Sequence, residues 1–181
     1  MCGDSTDKAT VELLMNGNKA DMVFTDPPYN MNYCGAGFIN QENKNVKERI
    51  KDIIDFDAKE IYRLLKKGGL FITEQVGGDN DRDLVEMVLP NTEKPFPHLN
   101  LKEQKKVFED AGFYILEEAE VYRPIKFYDV GAFVWFAHII EWEFPDFSVD
   151  KCFENLLEMQ KQINDKGSIE GTIHRYLLIQ N

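Results

Sequence analysis

Two consecutive prolines, Pro27 and Pro28, follow the apolar run 21–25 almost directly, and this pair constrains the fold more than any other feature of the sequence. Proline has no backbone N–H and cannot donate to a sheet ladder, so a strand over the apolar run must end before the pair. Apolar residues before the run recur at helical spacing and end at a glycine. The sequence therefore predicts a helix and then a strand, with a rigid turn at the carboxyl end of the strand.

A second helix and a second strand are predicted between residues 57 and 76. Asp57 and Glu60 are spaced as a capping box, and two lysines and two glycines follow the apolar face of the helix. The run 70–76 is predicted to be a strand. A helix that leads through Gly-Gly into a buried strand is typical of an α/β crossover with a parallel sheet.

The rest of the chain predicts three more helices and three more strands. Helices are expected over 79–89, after a capping box at Asn100 and Glu103, and after Ser148 as an N-cap. Strands are expected over 113–122, over the continuous apolar run 132–140 and over the C-terminal 175–180. These predictions give about five strands with helices between them.

The composition is typical of one folded globular domain. The chain has 181 residues, of which 43% are hydrophobic and 29% charged. No stretch approaches the roughly 20 apolar residues of a membrane span, and the first residues lack the pattern of a secretory signal. Three distant cysteines, Cys2, Cys34 and Cys152, predict neither a disulfide framework nor a zinc cluster. We therefore expect a cytoplasmic protein with no membrane partner and no metal.

The charge balance disfavours DNA as a partner. Lys and Arg number 21 against 32 Asp and Glu, which leaves a net charge of −11. A DNA-binding domain normally has a basic footprint that neutralises phosphates. DNA remains possible on the motif described next, and a small-molecule substrate is equally open.

The motif Asp26-Pro27-Pro28-Tyr29 carries the most specific chemistry. An exocyclic amine is hard to methylate because its lone pair is delocalised into the ring. A carboxylate and a backbone carbonyl that accept its two N–H bonds return electron density to the nitrogen. Asp26 supplies the carboxylate, Pro27 a carbonyl whose direction the locked φ angles fix, and Tyr29 a ring that can stack on an extruded base.

Together with Gly3-Asp4-Ser5, the block 21–30 resembles the DNA amino-methyltransferases that act on adenine N6 or cytosine N4. The resemblance covers residues 1–36. It implies that Asp26, Pro27, Pro28 and Tyr29 are the catalytic residues, because in that family the motif holds the amino group of the flipped base. It also implies that Asp4 lies near the cofactor, S-adenosylmethionine.

Residues 56–181 resemble a different branch, the second half of a class I S-adenosylmethionine-dependent methyltransferase. The resemblance is carried by the blocks 56–78, 127–132 and 174–177. It implies a small-molecule substrate. Each of the two segments resembles the part of a Rossmann-like methyltransferase sheet that begins at its fourth strand. Neither segment resembles the first strands of that sheet.

A cofactor loop is not identifiable in the sequence. The one Gly-x-Gly, at Gly35 and Gly37, follows the proline turn instead of a strand and is predicted to be a flexible loop. The expected fold class is therefore α/β, a partial Rossmann-like methyltransferase sheet with helices on its faces that lacks the glycine-rich first βα unit. We expect a single domain over 1–181, fused from 1–36 and 56–181 with a polar connector at 37–55, or a truncated reading frame without the cofactor half.

Three functions stay open on the sequence. The first is an S-adenosylmethionine-dependent amino-methyltransferase that acts on DNA. The second is a small-molecule class I methyltransferase. The third is a non-catalytic methyltransferase remnant that self-associates, because a sheet without its first strands would expose an apolar edge.

Several other residues are expected to be structural. The histidines are isolated in the sequence, and the one in run 132–140 is expected to be a satisfied core residue. Acidic residues between 117 and 120 are expected to form a solvated face. The residues concerned are His98, His138 and His174, the aromatic core candidates Phe133, Trp135 and Phe136, and the acidic Glu117, Glu118 and Glu120.

Overall fold

A computed structural model describes residues 8–24 and 58–181 and shows a mixed α/β fold. Four strands form one open sheet in the order β1-β2-β4-β3. This confirms the predicted α/β class, with an open sheet in the described residues. The elements of the described residues are, in chain order, α1 Lys8–Met15, β1 Ala20–Phe24, α2 Ala58–Leu64, β2 Leu65–Val76, α3 Arg82–Val88, α4 Leu101–Ala111, β3 Ile115–Phe127, α5 Val130–Ile139, α6 Val149–Lys166 and β4 Ile169–Gln180.

The sheet combines parallel and antiparallel pairing. β1 and β2 are parallel, and Phe24 lies opposite Ile72. β3 and β4 are antiparallel at the end where Tyr114 and Asn181 exchange both backbone hydrogen bonds, at 2.8 and 3.0 Å. The parallel pair confirms the expectation of an α/β crossover.

The helix and strand predicted at the start of the chain are confirmed. α1 is followed by Gly17 with φ of +76°, a conformation that favours glycine, and β1 ends at Phe24. The proline turn, the Gly-x-Gly loop and the connector predicted at 37–55 all lie outside the described residues.

The described residues divide into two compact units. The first comprises the described part of Met1–Thr73 with Lys105–Glu118 and Leu178–Asn181, and the second comprises Glu74–Gln104 and Ala119–Leu177. An aromatic cluster fills the first unit. Phe71 is fully buried and lies 5.6 Å from Phe108 and 6.1 Å from Phe113, measured between ring centroids.

The second unit has the larger apolar core. Helices α3 and α5 both pack against α6. Phenylalanine rings meet edge to face within it, with 5.7 Å between the centroids of Phe133 and Phe144. Fully or almost fully buried members are Leu84, Val85, Val88, Phe133, Ala137, Phe144, Cys152 and Met159.

One predicted strand is wrong. The run 132–140 forms most of helix α5, and the Asp129 side chain caps this helix by accepting a hydrogen bond from the Ala132 N–H at 2.7 Å. A continuous apolar run has no period that separates a buried strand from a helix, and here the N-cap selects the helix. Trp135 is 69% exposed and His138 is exposed, so neither is a core residue, whereas Phe133 is buried as expected.

The other helix predictions are confirmed with two shifts in boundaries: α3 begins at Arg82 instead of residue 79, and α2 ends at Leu64 instead of at the two lysines. Asn100 Oδ1 accepts from the Glu103 N–H at 2.9 Å, and Ser148 Oγ accepts from the Lys151 N–H at 3.2 Å. β2 begins at Leu65, before the lysines and glycines that were expected to end the helix. Here the strand pairing with β1 starts earlier than the local glycine pattern predicts.

Candidate functional site

The segment 77–81, which directly follows β2, is held by His174 of β4. The Gly77 N–H donates to the His174 carbonyl at 2.9 Å, and the Asp79 N–H donates to the ring atom Nδ1 at 3.2 Å. The His174 N–H in turn donates to Asn80 Oδ1 at 3.2 Å. His174 therefore holds this segment through two of its backbone amides and through the Asn80 side chain.

The imidazole of His174 is fully buried and has a partner on each side. Because Nδ1 accepts from a backbone N–H, the proton of the neutral ring sits on Nε2, which lies 2.9 Å from Glu120 Oε1. The ring of Tyr122 stacks on it with 4.3 Å between centroids and 14° between planes. We call His174, Glu120, Tyr122 and Asp79 the histidine cluster.

Asp79 connects the histidine cluster to the surface. It forms an ion pair with Lys94, and it accepts a hydrogen bond from the Tyr122 hydroxyl at 3.3 Å. The hydrogen bond from Lys94 lowers the pKa of Asp79, and burial raises the pKa of Tyr122. At neutral pH the cluster therefore contains an ionised aspartate and a protonated phenol.

A surface depression of about 360 Å³ lies beside Tyr122. Tyr122 is 54% exposed, and the Arg123 side chain forms no hydrogen bond or ion pair with any residue that the structure describes. The Tyr122 ring offers a partly exposed stacking surface and Arg123 a positive charge, in a depression that two acidic side chains also line. The remaining lining residues are Asp83, Pro124, Glu170, Gly171 and Thr172.

A second polar cluster contacts the same segment. Asn80 Nδ2 donates to Asp81 Oδ2 at 2.6 Å, and both residues influence the pKa of Glu143, in the connection between α5 and α6. Arg175 Nη1 donates to Asn80 Oδ1 at 2.6 Å. We call Asn80, Asp81, Glu143 and Arg175 the carboxyl cluster.

The two carboxyl groups of this cluster are almost entirely buried. Asp81 is 2% exposed and Glu143 is 5% exposed. Burial raises the pKa of Glu143 to about 8, with a further contribution from the nearby Asp81 carboxylate. Burial also raises the pKa of Asp81 to about 6, against the opposing effect of Arg175. Asp81 Oδ1 is buried and has no hydrogen-bond partner.

The pair Gly77-Gly78 does not fit the cofactor that the resemblance implies. Gly77 and Gly78 follow a strand, as a cofactor loop would, but the space beside them is filled by the protein itself. A Cβ built on Gly77 would lie 2.0 Å from His174 Nδ1, and one on Gly78 would lie 2.1 Å from the Phe96 carbonyl oxygen. Within 8–24 and 58–181, this Gly-Gly pair therefore leaves no open cradle for S-adenosylmethionine.

The residues predicted to form the site are not among those that the structure describes. Asp4 and the four residues Asp26, Pro27, Pro28 and Tyr29 all lie outside the described ranges, so their roles stay predictions. The structure shows only that β1 ends at Phe24, which leaves the motif directly after a parallel strand.

Sequence reasoning missed the histidine cluster, because His174 is isolated in the sequence but not in the fold. Glu120 and Tyr122 lie two residues apart on one strand, so they share a face of the sheet, and that spacing was the available signal. The partner strand could not be identified from the sequence. Glu117, Glu118 and Glu120 are all exposed as expected, and Glu120 in addition bonds to a buried side chain.

Two further properties concern the described residues alone. They contain no group of three or more His, Cys, Asp or Glu side chains arranged to hold a metal ion. None of their helices has both the length and the apolar character needed to cross a membrane.

Comparison with known proteins gives a remote structural similarity. No family model and no curated protein matches the chain. Among solved structures, 26 chains match, and one of them is a protein named as a "putative methyltransferase" from Bacillus halodurans C-125. The sequence identity is 15% and the TM-score 0.39, over 68% of this chain. The match spans 55% of the length of that protein.

Proposed function

We propose that this chain is a methyltransferase-like protein whose Asp26-Pro27-Pro28-Tyr29 turn binds the amino group of a planar substrate. The observation that supports the proposal is the position of the motif: it begins two residues after β1, which is paired in parallel with β2. In open α/β sheets, ligands bind outside the carboxyl ends of the strands.

In this proposal each group of the motif has its own chemical role. The Asp26 carboxylate and the Pro27 carbonyl accept the two N–H bonds of the amine, and Tyr29 stacks on the ring. The Pro-Pro pair keeps the carbonyl in one direction because both φ angles are fixed. S-adenosylmethionine is the methyl donor that the resemblance implies, and Asp4 is the residue proposed to lie near it.

Transfer of a labelled methyl group from S-adenosylmethionine tests the proposal, with DNA and a pool of small metabolites as alternative acceptors. We expect Asp26→Ala to abolish transfer while circular dichroism shows an unchanged fold. Asp21→Asn is the matched control, since Asp21 lies on β1, is exposed and, among the described residues, forms an ion pair with Lys66 alone, at 2.7 Å. Unchanged transfer by the Asp26 variant would remove the motif from the mechanism.

The second candidate is a methyltransferase whose planar substrate is a small molecule instead of DNA. The depression beside Tyr122 supports this candidate. A net charge of −11 disfavours binding to a phosphate backbone but does not disfavour a metabolite. In the labelling experiment, transfer to the metabolite pool and not to DNA would select this candidate.

Self-association without catalysis is the third candidate. β3 is an edge strand of the sheet, and Leu116, Val121 and Tyr122 on it are each at least 41% exposed. An exposed edge strand can pair with another chain. Light scattering tests this candidate: a monomer at all concentrations would contradict it, and a dimer without methyl transfer would support it.

A further inference from the structure

Helix α5 has an exposed face that carries no Asp, Glu, Lys or Arg. Trp135 lies at the centre of this face, with two residues one turn before it and two residues one turn after it, because neighbours on a helix surface are three and four residues apart. All five residues are exposed. We call them the tryptophan face: Gly131, Ala132, Trp135, His138 and Ile139.

The tryptophan face is apolar although it meets solvent. Trp135 is 69% exposed, and the large side chains of Ile139 and of Tyr128, just before the helix, are exposed as well. The opposite side of α5 is also apolar, with Phe133 and Ala137 fully buried in the core. A surface helix normally turns a polar side to water, and a contiguous exposed apolar patch marks an interaction site. We therefore infer that a partner covers this face.

The relief of the tryptophan face combines a projecting ring with an open hollow. Gly131 has no side chain and Ala132 has a single methyl group, and both lie one turn before Trp135. A Cβ built on Gly131 would have one described atom within 4 Å, Oδ1 of Asp129 at 3.1 Å. The Trp135 ring therefore does not cover Gly131. The projection and the hollow are separated by one helical turn, about 5 Å along the axis.

We propose that the tryptophan face binds the same face of a second copy of this chain, with the two α5 helices antiparallel. The Trp135 ring of one protomer then fills the hollow at Gly131 and Ala132 of the partner subunit, and the reverse contact forms by symmetry. A two-fold interface requires such reciprocal contacts. The alignment also sets Tyr128 opposite Ile139, because these residues lie equally far from the midpoint between Ala132 and Trp135.

Charge favours this site for self-association and favours the antiparallel orientation. The chain has a net charge of −11, so two copies repel each other, and the repulsion is weakest where neither presents an acidic side chain. Antiparallel helices place the positive end of each dipole beside the negative end of the other. The same alignment sets Asp129 of one protomer level with His138 of the partner subunit, and an imidazole N–H can donate to a carboxylate.

The interface is small, so we expect a reversible dimer. α5 has ten residues and is about 15 Å long. Interfaces that bury less than about 1,200 Å² are typical of transient complexes. We expect mainly monomer near about 1 µM and mainly dimer near about 100 µM. The dimer does not depend on methyl transfer, and its interface belongs to a different element from the β3 edge.

Sedimentation velocity of the whole chain over this concentration range tests the proposal, with Trp135→Glu and its matched control Leu116→Glu. Leu116 lies on β3, is 48% exposed and receives the same charge. We expect the natural chain and the control to dimerise and Trp135→Glu to associate at least about tenfold more weakly. A natural chain that stays monomeric would overturn the proposal. Loss of the dimer in Leu116→Glu but not in Trp135→Glu would overturn it in favour of the β3 edge.

Tryptophan fluorescence of the natural chain covers the case in which Trp135→Glu does not fold. Trp135 and Trp142 are the two tryptophans of the chain. Because an indole emits at shorter wavelength when it leaves water, the emission maximum should move to shorter wavelength as the chain dimerises. Trp142→Phe should keep this shift. An emission maximum that stays constant while the dimer forms would overturn the tryptophan face as the interface.

A lipid surface is the other class of partner that exposed Trp and Tyr rings bind. Co-sedimentation with phosphatidylcholine vesicles, at the concentration where the chain is monomeric, separates the two classes. We expect the natural chain to stay in the supernatant. Vesicle binding that Trp135→Glu abolishes and Leu116→Glu keeps would overturn the proposal in favour of a membrane partner.

Discussion

The histidine cluster and the carboxyl cluster hold the same five-residue segment but differ in how their polar atoms are partnered. In the histidine cluster both ring nitrogens of His174 have partners and the ring is stacked. In the carboxyl cluster Asp81 Oδ1 has none, and two acidic groups lie together. The first arrangement is fully partnered at the histidine ring, whereas burial raises the pKa of both carboxyls in the second. The second cluster therefore links the stability of the chain to pH.

Removal of His174 gives the largest effect expected from this comparison. His174→Ala leaves Glu120 without its buried partner, frees the Asp79 N–H and removes the stacking surface of Tyr122. We expect the free energy of unfolding to fall by about 3 kcal/mol. Urea denaturation measures it, and His138→Ala, which alters an exposed ring on α5, is the control with an expected change below about 0.5 kcal/mol. Equal effects of the two variants would contradict the supporting role of His174.

Gly77→Ala is a second test of the histidine cluster. The added methyl group would lie 2.0 Å from His174 Nδ1, so the ring or the backbone must move. We expect a loss of about 2 kcal/mol in the natural background and much less in a His174→Ala background, where the ring is absent. A double-mutant cycle in urea measures the coupling. Additive effects would show that the two positions do not compete for the same space.

Asp81→Asn probes the carboxyl cluster and should have an effect whose sign depends on pH. The substitution removes a buried carboxylate with a pKa of about 6 and leaves Glu143 without its repulsive neighbour. Relative to the natural chain, we expect the variant to be more stable at pH 8 than at pH 5 by about 1 kcal/mol. A stability difference that is the same at both pH values would contradict the account of the cluster.

Tyr122→Phe should have the smallest effect. The substitution keeps the ring that stacks on His174 and removes one partly exposed hydrogen bond, from the hydroxyl to Asp79 at 3.3 Å. We expect a change of about 0.5 kcal/mol in the free energy of unfolding. A loss as large as that of His174→Ala would mean that the hydroxyl, and not the stacking, holds the cluster together.

Local signals explain why much of the fold could be predicted. Asn100, Ser148 and Gly17 act within one turn of their own helix ends, and each behaves as the sequence indicates. The predicted strand over 132–140 is wrong because the composition of this run fits a strand or a helix equally well. The deciding contact comes from Asp129, one residue before the helix.

The histidine cluster could not be predicted because its members are brought together by strand pairing. Asp79, Glu120 and His174 are separated by 41 to 95 residues, and β4 lies between β2 and β3 in the sheet. The order of strands is set by packing over the whole chain, and no local pattern in β4 reports it. The proline motif is the opposite case, since all four residues of that predicted site are adjacent in the sequence.

Equilibrium binding of nucleosides that differ only at the amino group tests the central functional claim most directly. Adenosine presents an amine to Asp26 and Pro27, whereas inosine presents an oxygen that would face two acceptors. Calorimetry should show at least about tenfold tighter binding of adenosine than inosine, or of cytidine than uridine, and Asp26→Ala should remove the preference. Equal binding of the amino and oxo forms by the natural chain would contradict the claim.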